Sequence, residues 1–280
     1  MKDWRKTGWV LMVLVIGFVG TASTLAQSVY VDHADGLFIS GSSGDDEIVV
    51  TDWKDAGQVR GVHVVINGGD FGNWPTAERS GITVRGWEGN DVINLKKVTV
   101  RAFFLDLHPD FAITVTGDEG DDVVFGSKGN DFIYGKAGND KLHGRYGNDL
   151  ILGGDGNDLI TGGQGHDILD GEAGLKDRIH GGCGNDKIAD KDGFKLITGG
   201  YGKDKIIAVF PEGWGRRRAK ILAGYDGDYI EITNNDGGAL NLTIDGDVPA
   251  GYDNEGDTLV TFGNFPEEEI FPHVETIIHN

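Results

Sequence analysis

Between residues 117 and 207 one aliphatic side chain recurs at a fixed interval: Val124, Ile133, Leu142, Ile151, Ile160, Leu169, Ile179, Ile188, Ile197 and Ile206. The interval is nine residues, except for ten between Leu169 and Ile179. No other column of the repeat is apolar in every unit. One consistently apolar position in a short extended segment reads as a very short strand with one side chain turned inward. Each unit therefore predicts a six-residue turn followed by a three-residue strand. No such unit can bury its single aliphatic residue alone, so stability must come from stacking. Two units make one 18-residue coil with two strands, and successive coils stack in parallel. No segment of the chain shows a sustained helical period. The predicted fold class is all-β: a parallel β-roll or β-helix solenoid with irregular β-rich flanks.

The other columns of the repeat carry its chemistry. Counting from Gly117, position one is Gly in nine of ten units and position four is Gly in all ten. Glycines there permit positive φ and close backbone approach, as a tight turn requires. Asn at position five tolerates the left-handed region for similar reasons. Position six is Asp at Asp122, Asp131, Asp140, Asp149, Asp158, Asp167, Asp186 and Asp204. In an 18-residue coil these carboxylates stack in a row along each edge, Asp122 with Asp140, Asp131 with Asp149, Asp140 with Asp158, and Asp149 with Asp167. Unneutralised, such a row repels itself. A hard divalent cation between turns resolves the conflict, with Asp oxygens and turn carbonyls supplying the six to eight ligands that calcium takes. Asp204, the last of the series, is expected to end its row.

Composition narrows the function classes. Asp and Glu number 45 against 25 Lys and Arg, a formal charge of −20, which argues against a nucleic-acid partner. Glycine contributes 47 residues, yet 39% hydrophobic content argues against disorder. Cys183 is the single cysteine, so an intrachain disulfide or a Cys-based zinc site is excluded. Lys2, Arg5 and Lys6 precede an apolar run from Trp9 to Val19, and small residues lead to Ala26. That order describes a secretory signal peptide over 1–26. A membrane anchor, the alternative, needs about 20 apolar residues. No later segment is long and apolar enough to span a bilayer.

The stretch 117–207 resembles the repeats-in-toxin, or haemolysin-type, calcium-binding repeat, with its consensus G-G-x-G-x-D-x-U-x. The resemblance implies a β-roll holding several Ca2+ ions, each bound by the Asp side chain and by backbone carbonyls of the turn. The candidate carbonyl donors are Gly120, Gly129, Gly138, Gly147, Gly156, Gly165, Gly184 and Gly202. The chain departs from the consensus at Asp118, Ser127, Lys136 and Arg145, which replace the second glycine. An inserted residue shifts the carboxylate of Asp177. Lys195 occupies the aspartate position of a degraded unit, so the turn that partners it is expected to lack a complete site.

Isolated copies of the unit lie upstream, GSSGDDEIV at 41–49 with Asp46 and GWEGNDVIN at 86–94 with Asp91. They read as turns of a wider solenoid without metal. The organisation is thus a signal peptide at 1–26, an N-terminal flank at 27–116, the calcium-binding roll at 117–207 and a C-terminal flank at 208–280. No H-E-x-x-H or G-x-S-x-G motif is present. His143, His166 and His180 read as surface residues, and Cys183 as an exposed thiol. The expected function is that of a secreted calcium-binding module without catalysis, with periplasm or cell surface as alternative destinations. Two other readings stand beside it: an adhesion or matrix protein that uses the rod as a spacer, and a β-helix enzyme acting on extracellular polysaccharide.

Overall fold

The computed structural model describes residues 27–31, 36–56, 58–75, 81–99, 112–214, 218–235, 241–247, 257–263 and 276–279. Residues 1–26, for which a signal peptide is expected from sequence, lie outside them. Within the described residues the chain is a parallel β-solenoid of two sheets, one of twelve strands and one of eleven. Consecutive strands alternate between the sheets through the repeat region, so each coil gives one strand to each. Ile133 pairs with Ile151 and Ile151 with Leu169 in one sheet, while Leu142 pairs with Ile160 in the other. The 18-residue coil is thereby established. The aliphatic residues of position eight, Val124 to Ile206, are all buried and merge into one continuous core. Burying one branched side chain per strand above and below its equivalents is what makes stacking the source of stability.

The strands are longer than the apolar pattern suggests. Leu150–Asp155 spans six residues and Asp131–Ala137 seven. Pairing skips Gly153 and resumes with Gly154 on Glu172 and Asp155 on Ala173. The first residues of each glycine turn thus remain hydrogen-bonded to the neighbouring coil. A hydrophobicity pattern cannot register them, because they contribute backbone rather than apolar side chains.

Insertions lengthen some coils without breaking the stack. Ser28–Val31 pairs antiparallel with Leu37–Ser40, and Glu47–Asp55, Gln58–Ile66 and Gly69–Pro75 form an antiparallel meander. Asn67 and Gly68, at φ 50° and 74°, make the tight hairpin between the last two of these strands. Downstream of Ile207 the solenoid continues: Lys205–Phe210 pairs with Tyr229–Asn234, which pairs with Thr258–Gly263.

Candidate metal centre

The aspartates of position six form two buried rows, one along each edge where the chain crosses between sheets. Each main-chain N–H donates to Oδ1 of the aspartate in the following coil. Along one edge Asp46 donates to Asp91, Asp91 to Asp122, Asp122 to Asp140, Asp140 to Asp158 and Asp158 to Asp177, at 2.7–2.8 Å. Along the other, Asp131 donates to Asp149, then Asp149 to Asp167, Asp167 to Asp186, Asp186 to Asp204, Asp204 to Asp228 and Asp228 to Asp257. One oxygen of each accepting carboxylate is therefore spent on holding register with the preceding coil.

The other oxygen is left over. Oδ2 of Asp91, Asp122, Asp140, Asp149, Asp158, Asp167, Asp177, Asp186, Asp204 and Asp228 is buried and has no hydrogen-bond partner. The glycine of position one explains where it points. A Cβ on Gly135 would lie 2.3 Å from Asp140 Oδ2 and 2.4 Å from the carbonyl oxygen of Gly153, one coil on. On Gly144 it would lie 2.2 Å from Asp149 Oδ2 and 2.8 Å from the Gly162 carbonyl. The same pairing recurs at Gly117, Gly153, Gly162 and Gly181. In each gap between coils a carboxylate oxygen and a carbonyl oxygen thus converge on one small space without a donor between them.

Such an arrangement is electrostatically unfinished. Burial, reinforced by nearby carboxylates, pushes the carboxyls above the ordinary 3.8, to about 7 at Asp122, Asp140, Asp186 and Asp204 and to about 8 at Asp149. A buried carboxyl of this kind either holds a proton or faces a cation, which inverts the preference. Among the described residues no three Asp, Glu, His or Cys side chains gather at one point. A cation in these gaps would take oxygen ligands, carbonyls above all, and that donor set fits a hard ion such as calcium.

Several expectations are refined by the geometry. Positive φ falls at positions two and four, not at position one: Gly154, Gly163, Gly182 and Gly200 at position two have φ of 114–122°, and Gly120, Gly138 and Gly156 at position four 124–145°. Asp118, Lys136 and Arg145 adopt the same conformation at 84–89° without being glycine. Position-one glycines are required by the crowding of oxygens around them instead. The candidate donors of position four sit where coils touch, since a Cβ on Gly138 or Gly156 would come within 1.8 Å of the preceding coil's glycine carbonyl. Position five forms its own ladder and is not left-handed. Asn139 Oδ1 accepts from Asn157 N–H, Asn130 Oδ1 from Asn148 N–H and Asn148 Oδ1 from His166 N–H. His166 belongs to that ladder, its Nδ1 accepting the Asn185 N–H at 2.7 Å.

The rows also extend further than the nonapeptide pattern. Asp204 does not end its row, because Asp228 and Asp257 follow. The signal for Asp228 was present as Ala223-Gly224-Tyr225-Asp226-Gly227-Asp228, in which Asp and Gly have exchanged positions four and five. At the upstream ends, serine takes the place of an unfilled gap. Ser127 donates its N–H to Asp131 Oδ2 and its hydroxyl to Oδ1, while Ser42 does the same for Asp46 Oδ2 with both groups. The Arg145 guanidinium then reaches the carbonyls of Lys96, Gly126 and Ser127 at 3.0–3.5 Å. Lys195 is exposed and stays out of the row; a bulge between Asp177 and Arg178 sets buried Phe194 opposite Asp177. Cys183 is exposed.

A family model described as RTX calcium-binding nonapeptide repeat (4 copies) matches residues 114–142 and again 143–174. No curated protein and no solved structure matches the chain.

Proposed function

Because residues 114–174 carry RTX calcium-binding nonapeptide repeats, we propose that the protein is an exported, non-catalytic calcium-binding rod whose stacking depends on the metal. The observation that carries this reading is the repeated gap in which an unpartnered Asp Oδ2 meets a glycine carbonyl of the next coil. Asp122, Asp140, Asp149, Asp158, Asp167, Asp186 and Asp204 would supply the carboxylates. Carbonyls of the turns, from position-one glycines such as Gly135 and Gly153 and from position-four glycines such as Gly138 and Gly156, would complete the shell. Bound calcium supplies the positive charge that lets the buried carboxylates ionise without repelling one another. Asp131 stands in the same row, but Ser127 already satisfies both of its oxygens.

Export rests on the basic start and apolar run of residues 2–26, and an extracellular setting supplies calcium at the concentrations such modules bind, roughly 10⁻⁴–10⁻³ M. The adhesion form of this reading draws on Tyr201, 56% exposed, whose ring stacks at 4.4 Å on that of Tyr225 at the roll's edge. Circular dichroism and melting during a calcium titration of chelator-treated protein test the central claim. Calcium should restore β structure and raise the melting temperature, with magnesium a poor substitute because it demands compact octahedral geometry. Spectra and melting unchanged by chelator would refute it.

A further inference from the structure

We infer that Asp177 and Asp190 form a second kind of cation site, a two-carboxylate centre for a divalent ion that closes the downstream end of one aspartate row. The inference rests on the calcium reading of the rows and adds a site outside the repeat consensus. Asp190 stands at position one of the degraded unit, where the other nine units carry glycine. Its side chain turns into the gap that elsewhere receives a carbonyl oxygen. A Cβ on Gly171 would lie 2.7 Å from Asp190 Oδ2 and 2.8 Å from Asp177 Oδ2. At every regular gap the corresponding pair is one carboxylate and one carbonyl.

Both side chains are fully buried, at 0% exposure. No donor of a neighbouring residue reaches either oxygen of Asp190 or Asp177 Oδ2, and without a cation the two carboxyls are close enough to share a proton. Burial, and then the charge of Asp177, push the Asp190 carboxyl up to about 8 against the weaker pull of the Gly193 and Asp192 amides. The nearby ammonium of Lys191 is directed to Asp170, at 3.7 Å. Two buried carboxylates therefore face each other with no cation of the protein between them. The next coil offers no further aspartate to the row, since the bulge sets Phe194 opposite Asp177. The degraded unit loses the aspartate of position six and regains a carboxylate at position one.

Charge distinguishes this gap from the rest. A regular gap brings one carboxylate to a divalent ion, whereas this one brings two and neutralises it. More ligand charge in the same oxygen environment means tighter binding. Asp177 and Asp190 should therefore retain one ion at about tenfold lower free calcium than the row sites require.

The test is equilibrium dialysis of the full chain against buffered calcium, with bound metal counted by atomic emission. Three variants accompany the parent: Asp190→Asn removes the charge, Asp190→Gly restores the consensus residue, and Asp149→Asn opens a regular gap. The parent should show one tight ion followed by the weaker set. Both Asp190 variants should lose the tight ion and keep the rest, while Asp149→Asn keeps the tight ion. Circular dichroism at saturating calcium confirms that each variant folds, and Asp190→Gly is the safeguard should Asp190→Asn fail to do so. Row ions without a tight ion in the parent, or an unchanged tight ion in the Asp190 variants, overturn the inference and leave the wider reading standing. A single ion lost on Asp190 substitution supports this site and removes the row sites. No bound calcium in the parent removes both.

Discussion

Replacing Asp149 by asparagine should change stability in opposite directions with and without calcium. Asp149 donates its N–H to Asp167 and accepts the Asp131 N–H on Oδ1, and its Oδ2 has no partner. Asparagine keeps the accepting oxygen and removes the charge. Burial raises this carboxyl from 3.8 to about 8, so at pH 7 the metal-free fold must take up a proton that the unfolded chain does not carry. At roughly 1.4 kcal/mol per pH unit, that uptake costs about 4 kcal/mol. The asparagine avoids it but leaves a buried amide group without a partner, a loss of about 1–3 kcal/mol. In chelator the variant should therefore be more stable by about 1–3 kcal/mol, several degrees in melting temperature. In saturating calcium the order should reverse, because a ligand has been withdrawn from a cation held between coils. Differential scanning calorimetry of parent and variant in both buffers reads the two signs directly. A variant that melts lower in both buffers would refute the argument, reducing Asp149 to a hydrogen-bond acceptor that holds the register.

Three further outcomes follow from the same geometry. Folded-state carboxyl values near 7 for Asp122, Asp140 and Asp186 lie above their unfolded value of 3.8, so their contribution to metal-free stability is complete below about pH 4 and lost as pH rises through 7. Melting of the chelated protein should fall across that window while calcium affinity rises, and a flat melting profile would contradict the burial of the rows. Asp131→Asn should leave the number of bound calcium ions unchanged where Asp149→Asn lowers it, since Ser127 already occupies both oxygens of Asp131; equal losses would show that serine does not close that end. Gly135→Ala forces a methyl group to within 2.4 Å of two oxygens and should cost about 1–3 kcal/mol together with local calcium binding. Gly44→Ala, with nothing within 4 Å of the added carbon, is its control in chemical denaturation.

How much of this was legible depended on whether a residue acts through its side chain. Position eight announced itself because it is aliphatic in every unit, Ile151 and Leu169 among them, while no other column is consistently apolar. The spacing of Asp122 and Asp140 then gave the coil length and both rows. Backbone roles were hidden. Gly135 at position one and Gly154 at position two look alike in sequence, yet one makes room for oxygens and the other supplies positive φ. Asn139 and Asn148 resemble left-handed turn residues, and their side chains instead carry a ladder of hydrogen bonds. Counting by nines also misplaced Lys195, since a bulge of one residue brings Phe194 into register with Asp177. It lost Asp228 as well, because 24 residues rather than 18 separate it from Asp204.

The coil has a mechanical consequence. Adjacent strands in a sheet lie about 4.8 Å apart, so a stacked coil advances the rod by about that distance. The same 18 residues, drawn out, span about 60 Å. A coil released from the stack thus lengthens the molecule more than tenfold over that stretch. If the cations in the gaps hold successive coils together, calcium sets the reach of the protein as well as its shape. Under tension, falling calcium would convert a short stiff strut into a long slack tether, coil by coil.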